Sequence, residues 1–131
     1  MEKDWKFAHV GLVVKDLDKA LEGCRSMGAI KTYEMKGFPP NMRVIFVHVG
    51  NMEIEIFQPT EGKSNIRDIL ESRGEGISHL CYDVTDLDAE KREFAARGIK
   101  PFMERTSING PRLAYFAPNG LGGVTIELIQ H

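Results

Sequence analysis

Cysteine is scarce in this chain, which holds only Cys24 and Cys81, and their isolation from any CxxC spacing argues against both a zinc knuckle and a disulfide framework. Both are expected to be reduced, buried, small apolar side chains. Long hydrophobic runs are also missing: no stretch approaches the roughly 20 apolar residues that span a bilayer. The opening residues MEKDWKFAH scatter charge and contain no apolar h-region, so neither a signal peptide nor a membrane anchor is expected, and the cytoplasm is the expected location. Positive charge is not in excess, with 17 Lys+Arg against 19 Asp+Glu and a net charge of -2. Such a balance gives no basic field for phosphate backbones, so no nucleic-acid partner is expected. What remains is an ordinary composition, 42% hydrophobic and 27% charged over 131 residues, which fits one packed domain spanning 1–131.

The informative feature is an internal repeat. FAHVGLVVKDLDKALEGCRSMGA lies over ISHLCYDVTDLDAEKREFAARGI at a constant spacing of 70 positions: His9 to His79, Asp16 to Asp86, Gly28 to Gly98. Later the match continues with Arg43 over Arg112 and Glu55 over Glu127, the longer segment PNGLGG at 118–123 absorbing the change in spacing. The repeat units are approximately 7–58 and 77–130.

Each unit opens with a short Val- and Leu-bearing β-run, beginning with Phe7 to Val14 in the first. A helix follows, on which Leu17, Ala20, Leu21, Cys24 and Met27 recur at spacings of three and four, with Asp16 as cap and Gly28 at the left-handed position past its end. In the second unit Thr85 and Asp88 resemble a capping box, Leu87, Lys91, Phe94 and Ala95 mark one face, and Gly98 closes the helix. Three further β-runs are expected in each half, at 30–35, 43–49 and 52–58, then 99–104, 112–117 and 124–129. Gly50-Asn51 and Asn109-Gly110 are turn signals between runs. Between the halves a short helix is expected over 65–73, capped by Ser64 and ended by Gly74. Gly37-Phe38-Pro39-Pro40-Asn41 reads as an inter-strand loop that borders a site only as a second reading. The expected fold is α+β: two βαβββ modules forming a cupped mixed β-sheet around a metal site.

Duplicated units tend to pack about an approximate twofold, which brings equivalent residues together. His9 and His79 stand on the first strand of each unit, Glu55 and Glu127 on the last. A single His or Glu on a strand is ordinarily structural or solvated, and His48 and His131 are read as surface residues. The matched recurrence of both types, on strands otherwise mostly apolar, is different, because an unpaired charge there is unfavourable. Two imidazoles with two carboxylates make a competent site for one divalent ion, Co, Ni, Zn or Mn. Glu53 shares a face with Glu55 by strand alternation. Alignment favours Glu55, since Glu53 falls over Thr125, a poor ligand, and leaves Glu53 as an outer group or a residue at the open edge of the sheet.

These residues, with MEIEIFQP, SNIRDILESRGEGISHLCYDV and the closing APNGLGGVTIELIQ, resemble the vicinal oxygen chelate superfamily of glyoxalases, bleomycin-resistance proteins and dioxygenases. The pattern within it is most similar to the methylmalonyl-CoA epimerases, through GEG-x-x-H and GGV-x-x-EL. Departures are Ala117-Pro118-Asn119, where those enzymes often read near HPK, and Asn41-Met42, where they often have a Gly before the third strand. Some members carry an acidic catalytic residue on that strand, where Arg43, Val44 and Ile45 offer none.

The resemblance implies an isomerase that removes an α-proton through a metal-stabilised enolate, with Glu127 and Glu55 as catalytic carboxylates beside the metal. It implies a small-molecule thioester or thiol-adduct substrate and a homodimer. A lactoylglutathione lyase of the glyoxalase I type is the alternative, using similar ligands, and a non-catalytic small-molecule binding or resistance protein is the second. A ring-cleaving dioxygenase is disfavoured, because its two-His, one-carboxylate triad leaves no role for a fourth ligand.

Overall fold

The computed structural model describes residues 2–35 and 39–131, the Thr32 side chain apart. Gly37 and Phe38 of the expected loop therefore lie outside the described residues. In chain order the elements are β1 (Lys6–Val13), α1 (Leu17–Arg25), β2 (Ile30–Met35), β3 (Met42–Val49), β4 (Met52–Pro59), α2 (Asn65–Arg73), β5 (Gly76–Asp83), α3 (Leu87–Ala96), β6 (Met103–Thr106), β7 (Arg112–Phe116) and β8 (Thr125–Gln130). The α+β class and the repeated βαβββ order expected from the sequence are both present. Among the described residues no helix is long and apolar enough to cross a membrane.

The chain packs as two compact units, His9–Ser78 in one and the residues up to Ala8 with His79–His131 in the other. In the first the strand order is β2-β3-β4-β1, with β1 and β4 parallel and the other neighbours antiparallel. The second repeats the pattern: β5 runs parallel to β8, and β8-β7-β6 continue antiparallel. Parallel neighbours need a long crossover, and in each half the helix and two intervening strands supply it.

Each helix is tied to its own half in the same way. Asp16 and Asp86 sit in extended backbone, and their carboxylates accept from Lys19 N–H at 3.1 Å and Ala89 N–H at 3.0 Å. The cap of α3 is thus Asp86, and the expected box on Thr85 and Asp88 gives way to it. The first N–H of each helix is met from far along the chain: Leu17 N–H donates to Gln58 Oε1 and Leu87 N–H to Gln130 Oε1, both at 2.8 Å. At the other end Gly28 (φ 81°) and Gly98 (φ 78°) take the left-handed turn, with Ala29 N–H returning to the Cys24 carbonyl and Ile99 N–H to the Phe94 carbonyl. Arg43 forks onto Asp18 and Arg112 onto Asp88, joining helix to sheet in each unit. The Arg112 hydrogen bonds and charge hold the Asp88 carboxyl below its usual range.

One core packs Leu17, Leu21 and Cys24 of α1 on Ile45, Val47 and Ile56. Its counterpart joins Val84, Leu87, Ala114, Phe116, Ile126 and Leu128, with Phe94 stacked on Phe116 at 4.2 Å. Met27 and Ala95, expected on the buried helix faces, are exposed instead. Both belong to the last turn or beyond it, where the chain already swings away toward the next element. A third core sets Ile66 of α2 against Val13, Val44 and Phe57, and Ser64 caps that helix as expected. Strand β6 begins at Met103 rather than at 99: Ile99 is held in the helix-ending turn, and Pro101 has no N–H for a ladder. Both cysteines are free and buried, and burial raises the Cys24 thiol.

Candidate metal centre

Strand register places the four singled-out residues as two equivalent pairs. In the first unit His9 on β1 lies opposite Glu53 of the parallel β4, and Glu55 is the next residue on that face. In the second, His79 on β5 lies opposite Thr125 of the parallel β8, and Glu127 is the next residue on that face. His9 Nε2 is 3.3 Å from Glu55 Oε1, and His79 Nε2 is 3.3 Å from Glu127 Oε1. The repeat read in the sequence is a repeat of geometry.

The two pairs differ in depth. Side-chain exposure is 14% and 12% for His9 and Glu55, but 5% and 6% for His79 and Glu127. A carboxylate at that depth is strongly unfavourable unless a cation or donor answers it. An imidazole nitrogen and a carboxylate oxygen turned to one another at this spacing suit either a protonated ion pair or two donors to a shared ion. His9, His79 and Glu127 are of the residue types a divalent ion takes. In each half a neutral imidazole nitrogen and a carboxylate oxygen are donors of the kind a divalent ion takes.

Glu53 is engaged elsewhere. Its Oε2 lies 3.0 Å from His48 Nε2, and both side chains are substantially exposed. His131 pairs with Asp83 at 3.2 Å on the surface. Both histidines thus occupy the surface positions expected of them.

An aromatic ring stands beside each pair, which the sequence reading did not single out. Phe46 is the register partner of Glu55 and meets the His9 ring edge-on, with centroids 6.2 Å apart. Tyr115 is the register partner of Glu127 and meets His79 edge-on at 5.6 Å. The available signal was the spacing of 69 between Phe46 and Tyr115, shared with Arg43 and Arg112.

The profile of the glyoxalase/bleomycin resistance protein/dioxygenase superfamily matches residues 8–116. The mouse mitochondrial methylmalonyl-CoA epimerase is 28% identical over 96% of this chain and 75% of its own length. The ethylmalonyl-CoA/methylmalonyl-CoA epimerase of Cereibacter sphaeroides is also 28% identical, over 93% of this chain and 95% of its own. Among solved structures, methylmalonyl-CoA epimerase from Mycobacterium tuberculosis superposes with a TM-score of 0.77 at 31% identity, covering 95% of this chain and 87% of that one.

Proposed function

We propose, for a chain that belongs to the glyoxalase/bleomycin resistance protein/dioxygenase superfamily, the activity of a metal-dependent epimerase acting on methylmalonyl-CoA or a closely related thioester. One observation carries the reading beyond likeness: an imidazole and a carboxylate stand 3.3 Å apart at the same register position in both halves. On this reading the halves form a single domain, and His9, Glu55, His79 and Glu127 hold one ion, Co, Ni, Zn or Mn. When bound, the ion supplies Lewis acidity to the substrate's carbonyl oxygens.

The chain's own residues do the remaining work. One carboxylate, assigned to Glu127, accepts the proton from the α-carbon while the C–H electron pair passes into the enolate. The carboxyl of Glu55, assigned to the opposite face and protonated when the enolate forms, gives its proton to that carbon and restores the thioester in the other configuration, leaving Glu127 protonated and Glu55 ionised until exchange with solvent resets them. The repeat provides the two groups in related positions, and Arg43, Val44 and Ile45 supply no competing acid on β3. Deep burial of the His79–Glu127 pair withholds it from bulk water, which strengthens its electrostatic action on the substrate.

Glyoxalase I chemistry is the less favoured alternative, since the relatives described above are epimerases. The test is to give one metal-loaded preparation both methylmalonyl-CoA and the hemithioacetal of methylglyoxal and glutathione. Interconversion of the methylmalonyl-CoA epimers with no lactoylglutathione formed is the expected result; the reverse pattern assigns the chain to the lyases. A homodimer in the cytoplasm completes the proposal, and sedimentation at micromolar concentration checks the stoichiometry.

A further inference from the structure

Phe46 is partly buried. It packs on the core of Val13, Val44, Phe57 and Ile66, while its ring meets His9 on one side and Tyr33 on the other, at 6.2 and 6.5 Å between centroids. Tyr33, on the edge strand β2, remains 60% exposed. The second unit repeats the series: His79, then Tyr115, then Phe102 at 5.9 Å, with Phe102 57% exposed. Tyr33 and Phe102 share the spacing of 69 that relates Phe46 to Tyr115. Tyr33 lies in the edge strand β2 and Phe102 just before the edge strand β6, and large exposed aromatics at sheet edges favour aggregation. Their presence at matched positions in both halves, each reached from a His–Glu pair through an inner ring, points to a ligand surface.

Resting on the epimerase reading, we infer that Phe46, backed by Tyr33, is a specificity-determining wall for the alkyl group on the substrate's α-carbon. A carbon whose proton passes to or from Glu55 must come within about 3 Å of that carboxylate. Phe46 lies directly across the strand pair from Glu55, and side chains so placed are about 5 Å apart at Cβ. A substituent on the reacting carbon therefore falls against the Phe46 ring, which is apolar, rigidly backed and without a polar atom. The corresponding ring of the other half, Tyr115, carries a hydroxyl, so of the two rings Phe46 is the one suited to hydrocarbon.

The experiment compares kcat/KM for methylmalonyl-CoA and ethylmalonyl-CoA in the unaltered enzyme and in Phe46→Ala, Phe46→Leu and Phe46→Trp, with bound metal measured in each. One methylene against an apolar wall shifts discrimination by on the order of tenfold. Phe46→Ala is expected to raise the ethyl-to-methyl ratio by about that factor, Phe46→Leu by less, and Phe46→Trp to lower it, all with metal content retained. Opposed shifts from smaller and larger side chains are not produced by a merely structural role. An unchanged ratio in Leu and Trp variants that stay folded and metal-loaded would overturn the inference while leaving the epimerase reading intact. Failure of the unaltered enzyme to epimerise either thioester would remove that reading and the inference with it.

Discussion

At the scale of single residues, the question is why a carboxylate should be buried beside an imidazole on a β-strand. Neither group contributes to the cores, which are built from residues on the opposite face or further along the strands. His9→Ala and His79→Ala are therefore expected to keep the fold, checked by thermal unfolding. Each should lose more metal affinity than the 10–100-fold typical of an outer-shell change, as read by metal titration. Stoichiometric metal in both variants would move the site elsewhere. Glu55→Ala should likewise weaken metal binding more than Glu53→Ala, because Glu53 already answers the exposed His48. The opposite order would make Glu53 the ligand. Asp88 gives a pH-dependent expectation: Arg112 lowers its pKa, so its contribution exists above the unfolded carboxyl pKa and is lost as pH falls through the folded value. Because Asp88 is exposed, Asp88→Asn should destabilise only slightly at about pH 6, and by less as the pH falls into the acid range, in urea unfolding.

At the scale of elements, the sequence was most legible where the controlling contacts are local. Asp16, Ser64, Gly28 and Gly98 act within a turn of their helices, and each stands where its chemistry requires. Less legible were features decided at a distance. Gln58 and Gln130 receive helix N–H groups from 41 and 43 positions away, and no local pattern announces them. Thr85 looked like a cap by spacing, yet Asp86 takes the extended backbone from which its carboxylate reaches Ala89. Asp86→Ala should accordingly cost about 1 kcal/mol in denaturant unfolding, and Thr85→Ala much less. Equal losses would restore Thr85 to the cap. The aromatic partners of the two histidines went unread for the same reason: Phe46 and Tyr115 are ordinary strand residues until register sets them against Glu55 and Glu127.

For the molecule as a whole, duplication explains why so much of the candidate site could be read from one chain. A repeated His and a repeated Glu carry little meaning singly, whereas equal spacing in both halves predicts equal geometry, and each half has it. The halves differ at Phe46 against Tyr115 and at Glu53 against Thr125. Proton transfer at carbon is the central step of the proposed reaction, and solvent exchange tests it most directly. In deuterated water the metal-loaded enzyme is expected to place deuterium at the α-carbon of methylmalonyl-CoA as the epimers interconvert. Glu127→Gln should retain the fold but slow exchange by roughly 100-fold or more, since an amide cannot accept the proton. Absence of both exchange and epimerisation with Co, Ni, Zn and Mn each supplied would contradict the account.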